Sequence, residues 1–467
     1  MFVSHVSVLA SIAVGSTITF ATHISHESLP RGNNNTGITV PLKATYTPAG
    51  TFLDVEVTIG EQTFLMLVDT GSSDTWLPRK GFQCLDSDNV ILPQEKCMFG
   101  NTYETSSTFE LIPNQTFGVK YGSGISSGIL GFETVTVGGL SVERQIIGVS
   151  DRTTDEGNGF DSGVIGLAYP FLTSAHPGDD YSNDSYSFWS DRIPYNPWFT
   201  SLYKQGSVEP FFSFALTRTP VNVSNGDGGF LSLGRLPPVK HSSTFSVSPV
   251  EIIKDIPPFF TNNETAKTYW ALSVKSTHID SSVSTYESWQ ALVDSGNFFN
   301  FFPSEVAASV NAAFKPPATP ASNFNESALY DVTCDAIAPR FGMTFWNNVT
   351  IYMDQQDTIV QNADGTCTSA FLDADVFSAV SGAEGLSINI IGTPFLRSVV
   401  SVFDFGKDEI RFAERGEGGA NGTLSPTVSA TPISTSQQVS GVSEPVIKVE
   451  LLVILAIPTL AICLHFI

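Results

Sequence analysis

The chain has 467 residues, enough for a large core and for two or three domains. Only 15% of them are charged, and 38 Gly with 35 Phe favour a turn-rich, mostly β chain over a helical one. Lys and Arg number 23 against 46 Asp and Glu, a formal charge of −23; this excludes the clustered cations that nucleic acid demands and reads as a solubilising surface.

Residues 1–21 hold an apolar stretch, Val6 to Ala13, then small residues up to Ala21, and read as a signal peptide without a basic n-region. Residues 22–45 are polar and read as a short propeptide or N-terminal extension; no dibasic processing pair is present. Phe52 to Gly60 alternates like a half-buried strand, and Phe64 to Val68 forms a second strand after a Gly-Glu-Gln turn. That strand delivers Asp69 into a turn of Thr70, Gly71, Ser72 and Ser73. Taken alone, these are ordinary turn residues. Trp76 follows, and alone it reads as core. Tyr121, Gly122 and Ser123 lie in a Gly-rich hairpin. The polar segment 173–197 reads as a surface insertion at a cleft rim. Phe211 to Leu216 reads as a strand near a lobe junction, and a helix is expected after Pro303.

The turn recurs. Leu292-Val293-Asp294-Ser295-Gly296-Asn297 places a second aspartate 225 positions after Asp69, and Pro78 and Pro303 each fall nine residues past their aspartate. Val164-Ile165-Gly166 ends 97 residues after Asp69, and Ile390-Ile391-Gly392 ends 98 after Asp294. Motifs repeating in order at matched spacing imply two domain-sized halves, 46–208 and 209–417. Beyond them the composition changes. Ser and Thr make up 10 of the 21 residues from Thr423 to Ser443, so 418–443 reads as an O-glycosylated stalk. Residues 444–467 end in an apolar tail of 17 residues after Glu450, broken by Pro458, which suits a GPI-anchor signal better than a membrane span of ~20 residues. Eight Asn-x-Ser/Thr sequons, at Asn34, Asn114, Asn183, Asn222, Asn263, Asn325, Asn348 and Asn421, join the chain ends in pointing to the secretory route.

The ordered set of Asp69-Thr70-Gly71-Ser72, Trp76, the Tyr121 hairpin, Phe160 to Pro170, Asp294-Ser295-Gly296 and Ile390 to Leu396 resembles the pepsin-like aspartic proteases over roughly residues 46–416. The tail is similar to that of the membrane-anchored yapsin-type members. The resemblance implies a bilobal, mostly β fold with pseudo-two-fold symmetry, a cleft between the lobes, and an aspartic endopeptidase acting on peptides or proteins as a monomer. No cofactor or metal is expected. It would sit outside the cell, on the plasma membrane or cell wall, through a lipid anchor. Of the five cysteines, Cys463 falls in the apolar tail, and the other four admit three pairings; pairing within each lobe gives Cys84–Cys97 and Cys334–Cys367, as the resemblance also implies.

The chemistry follows from two acids at one site. Like charges a few ångström apart cannot both ionise cheaply, so the pair holds one proton between them and titrates as a unit. The ionised member takes a proton from an attacking water while the protonated one polarises the carbonyl and then serves the leaving amine. Gly71 and Gly296 let the backbone approach the carboxylates. The resemblance gives Thr70 and Ser295 a locking role across the lobes, Ser72 a bond to the outer oxygen of Asp69, and Tyr121 a flap role beside Trp76. Asn297 stands where the family carries Thr or Ser, and supports the rival reading of a catalytically weak binding module. Leu67, Phe160 and Val164 are expected to wall the cleft. Two decoys read as structural: Asp161-Ser162-Gly163 lacks an apolar strand before it, and Gly124-Ile125-Ser126-Ser127-Gly128 has no helix after it, as a serine elbow requires. His176, His241 and His278 fit no metal spacing.

Overall fold

The computed structural model describes residues 37–416, apart from 48–49, 87–88, 122–123, 155–156, 180–189, 222, 255, 284–286, 322–327 and 377–387. The signal, stalk and anchor regions, and Gly122 and Ser123, therefore lie outside the described residues. Strands dominate. The alternating run near Phe52 is the strand Gly50–Ile59, and the apolar run before the first aspartate is Gln62–Asp69. These two pair antiparallel, joined by a tight Gly60-Glu61 turn with Gly60 at φ 60°. Helices are few among the described residues and include Trp198–Lys204, Ser304–Ala312 immediately after Pro303, and the single turn Thr393–Leu396. No helix among the described residues is long and apolar enough to cross a membrane.

A fifteen-stranded sheet spans both halves of the chain. Its middle is built from the N-terminal strand Ile38–Thr47, which pairs with both Gly50–Ile59 and Gly226–Leu233. Beyond these, Phe211–Leu216 lies between Gly226–Leu233 and Val399–Asp404. Phe212, Phe214, Phe403 and Trp270 stack there with centroids 4.9 to 5.9 Å apart, all fully buried. Burying rings of this size supplies roughly 1.5–3 kcal/mol each, so this aromatic cluster is a main source of cohesion within the second half, and Phe199 and Tyr169 of the first half meet it at 5.1 and 4.9 Å from Phe212 and Trp270.

The repeated motifs occupy equivalent places. Gln62–Asp69 runs parallel to Val164–Gly166, with Asp69 opposite Gly166, and Trp289–Val293 runs parallel to Ile390–Ile391. A Cβ on Gly166 would lie 2.5 Å from the Ser73 backbone, and one on Gly392 2.1 Å from the Phe299 carbonyl. Both glycines thus let the turn after each aspartate pass directly over them, which is why Ile-Gly recurs with the aspartates. Disulfides join Cys84 to Cys97 and Cys334 to Cys367, one in each half.

Candidate active site

Each aspartate leaves a buried strand and enters a turn whose backbone folds back on it. Gly71 N–H donates to Asp69 Oδ1 at 2.7 Å, and Gly296 N–H donates to Asp294 Oδ1 at 2.8 Å. The turns meet. A Cβ added to Gly71 would lie 2.6 Å from Asp294 Cγ, and one on Gly296 2.6 Å from Asp69 Oδ1. Only glycine permits that approach. The two carboxyl groups are hydrogen-bonded to each other and 1% exposed. Burial, then the charge and hydrogen bond of Asp69, hold Asp294 well above the ordinary carboxylate range.

Beneath the acids the halves are laced by four buried bonds. Thr70 Oγ1 donates to Val293 O at 2.8 Å and accepts from Ser295 N–H at 2.9 Å. Ser295 Oγ donates to Val68 O at 2.7 Å and accepts from Thr70 N–H at 3.1 Å. The pattern is reciprocal, as two-fold pseudo-symmetry demands.

The symmetry breaks one residue later. Ser72 Oγ donates to Asp69 Oδ2. Asn297, at the matching place, is fully buried and turns away: its Oδ1 accepts Phe299 N–H at 3.2 Å, and its Nδ2 has no partner. Asp294 therefore receives no side-chain donor equivalent to Ser72.

Tyr121 ends the strand Glu110–Lys120, and its backbone closes the hairpin by exchanging bonds with Gly124. Its hydroxyl accepts Trp76 Nε1–H at 2.7 Å, with the rings stacked at 6.4 Å. Of the expected cleft walls, Phe160 is 41% exposed, whereas Leu67 and Val164 are 0% and 2% exposed. The last two lie side by side across the parallel strands behind Asp69, so they back the turn rather than present open surface.

Of the expected surface insertion 173–197, the middle, 180–189, lies outside the described residues, and 177–179 beside it are exposed. Its flanks are anchored inward: Ser174 N–H and Tyr195 Oη–H both donate to Asp74 Oδ1, at 2.9 and 2.5 Å, and Arg192 is 5% exposed over the Phe260 ring. The reason is Asp74, a fully buried carboxyl five residues after Asp69 that needs donors. Sequence reasoning missed it; the signal was an acid inside an otherwise apolar and hydroxylic strand start. Tyr269 was missed as well. It is 1% exposed, and burial, with both aspartates nearby, raises its phenol. Both decoys are built into the framework: Ser126 is buried within a strand and bonds Ser150, and Asp161 accepts Asn158 N–H at 2.9 Å.

Comparison with known proteins agrees with this architecture. Residues 52–415 match the family described as "Eukaryotic aspartyl protease". A protein of Aspergillus fumigatus named "Probable aspartic-type endopeptidase" is 36% identical over 372 residues, covering 76% of this chain and 77% of its own length. Pepsin A of Bos taurus is 27% identical over 382 residues, 78% of this chain and 86% of its own. The crystal structure of an aspartic proteinase from Irpex lacteus superposes with a TM-score of 0.60 at 23% identity, over 82% of this chain and 99% of that one, and so shares the fold. With a matched family spanning most of its length and a bilobal β framework, the chain belongs to the pepsin-like family of eukaryotic aspartyl proteases and is an aspartic-type endopeptidase.

Proposed function

We propose that Asp69 and Asp294 are the catalytic pair, and that the enzyme is a secreted, GPI-anchored endopeptidase working in acid. The observation that carries the reading is the contact between two buried carboxyls from turns 225 residues apart, one held well above its usual range beside the other. Such a pair holds one proton between pH regimes where both are neutral and both are charged. Water lodged between them loses a proton to the ionised member and attacks the peptide carbonyl, whose oxygen accepts from the protonated one. Thr70 and Ser295 fix the distance between the acids, Gly71 and Gly296 supply backbone donors, and Ser72 orients Asp69. Tyr121, with Trp76 behind it, caps the substrate together with Gly122 and Ser123; Phe160 offers the apolar surface at the rim.

The proposed organisation is a signal peptide at 1–21, a short propeptide or N-terminal extension at 22–45 whose described end runs into the sheet strand Ile38–Thr47, lobes at 46–208 and 209–417, a stalk at 418–443 and an anchor signal at 444–467. Small residues Ser440 to Ser443 suit lipid attachment.

Asp69→Asn and Asp294→Asn are each expected to abolish hydrolysis of an unfolded protein substrate between pH 3 and 6 while leaving the thermal midpoint within a few degrees. Turnover retained by either variant would refute the pair. A statine-type transition-state mimic should block the wild type, and release by a phosphatidylinositol-specific phospholipase tests the anchor separately.

A further inference from the structure

The turn Trp346-Asn347-Asn348 joins two short antiparallel strands, Phe341–Thr344 and Thr350–Tyr352, on the second half of the chain. It is a three-residue hairpin loop, closed by Phe345 N–H to Val349 O at 3.1 Å and Asn348 N–H to Phe345 O at 2.9 Å. Asn348 takes the left-handed position at φ 62°, where asparagine is the best substitute for glycine. It also opens the sequon Asn348-Val349-Thr350.

Three details set this sequon apart from the other described ones, at Asn114 and Asn263. An aromatic ring stands two residues before the asparagine: Trp346 is 57% exposed, whereas Ile112 and Thr261 hold that place elsewhere. The asparagine and the ring lie on the same side of the loop, because one ammonium reaches both. Lys275 Nζ donates to Asn348 Oδ1 at 3.1 Å and sits 4.8 Å from the Trp346 ring centroid. Held by its oxygen, the amide of Asn348 leaves its nitrogen pointing away from the lysine. The hydroxyl of Thr350 is fixed by Thr344 Oγ1 at 2.8 Å on the neighbouring strand.

We propose that Asn348 carries an N-linked glycan whose first N-acetylhexosamine lies on the exposed Trp346 indole. In the transfer, Asn348 Nδ2 bonds to C1 of the sugar and gives up one proton to solvent. The C1–O bond to a polyprenyl diphosphate donor breaks, and the diphosphate leaves with the electron pair. The axial C–H bonds of a pyranose face carry partial positive charge and match the negative face of an aromatic ring, so the stacked sugar covers the indole surface that Lys275 leaves open to water. A single exposed aromatic is ordinary on a protein surface. Its place beside a sequon in a rigid turn is what gives it a ligand. The inference rests on the secretory route proposed above.

The test has two arms. The full chain, secreted from a eukaryotic host, is treated with peptide N-glycosidase in heavy-oxygen water, and the peptide bearing Asn348 is weighed. Conversion to labelled Asp is expected. Glycans on Asn114 or Asn263 with Asn348 bare would overturn the inference alone; a chain bare at every sequon would overturn it together with the secretory reading. The second arm is a double-mutant cycle of Trp346→Ala and Asn348→Gln, read as Tm. In glycosylated protein the non-additivity of the two changes should exceed by about 1–2 °C that of the same cycle in protein from a bacterial host, where only the shared Lys275 couples them. Equal coupling in both hosts would overturn the stacking.

Discussion

Ser72 and Asn297 occupy corresponding places after the two aspartates, yet only Ser72 reaches its carboxylate. A hydrogen bond to a charged group contributes roughly 1.5–3 kcal/mol, so Ser72→Ala is expected to lower kcat about 10- to 100-fold with little change in KM. Steady-state kinetics on one peptide decides this, and a pure KM effect would instead assign Ser72 to substrate binding. Asn297→Thr tests the other side. A hydroxyl donated to Asp294 favours its charged form, lowers its raised pKa and should move the alkaline limb of kcat/KM to lower pH. A limb that stays in place would mean the new hydroxyl makes no contact. The presence of an amide at 297 was legible in the sequence; its orientation was not. That depends on Phe299 N–H, a local backbone donor that competes successfully for Oδ1.

At the scale of elements, apolar alternation located the strands Gly50–Ile59 and Gln62–Asp69, and Pro303 marked the helix Ser304–Ala312. Alternation misread Asp54. In Leu53-Asp54-Val55-Glu56-Val57 both acids look outward, but only Glu56 is exposed, because the loop bearing Asn158 and Asp161 covers Asp54. Asp54 Oδ2 accepts Asn158 Nδ2–H at 3.3 Å, its Oδ1 has no partner, and burial raises its carboxyl to about 7. A folded pKa above the unfolded one means stability is fully present below pH 3.8 and is lost as pH rises through about 7. A shift of this size corresponds to a loss on the order of 4 kcal/mol across that window. Asp54→Asn keeps the shape and removes the charge, so its Tm should fall less than the wild type's between pH 4 and pH 8. Parallel Tm curves for the two proteins would show that Asp54 is paid for by contacts other than Asn158.

For the whole molecule, the two halves were legible because the Asp-hydroxyl-Gly and Ile-Gly motifs recur at nearly equal spacing. The fifteen-stranded sheet that joins them was not, since Ile38–Thr47 finds Gly226–Leu233 across about 190 intervening residues and no local pattern encodes that partner. Charge is the other property of the whole. At −23 and a pI near 4.5, the chain repels itself at neutral pH and loses that repulsion in mild acid. Surface pairs such as Lys80–Glu104 and Arg144–Glu110 are exposed and offset little of it. Raising sodium chloride from 0.1 to 1 M shortens the screening length from about 10 to about 3 Å, so Tm should rise with salt at pH 7 and stay nearly flat at pH 4.5. Buried Asp54 lies beyond the reach of mobile ions, so Asp54→Asn should raise Tm at pH 7 by the same amount at either salt concentration. If salt instead erased the benefit of that substitution, any loss of stability at neutral pH would belong to the surface field alone, and the buried carboxyl would have no separate part in it.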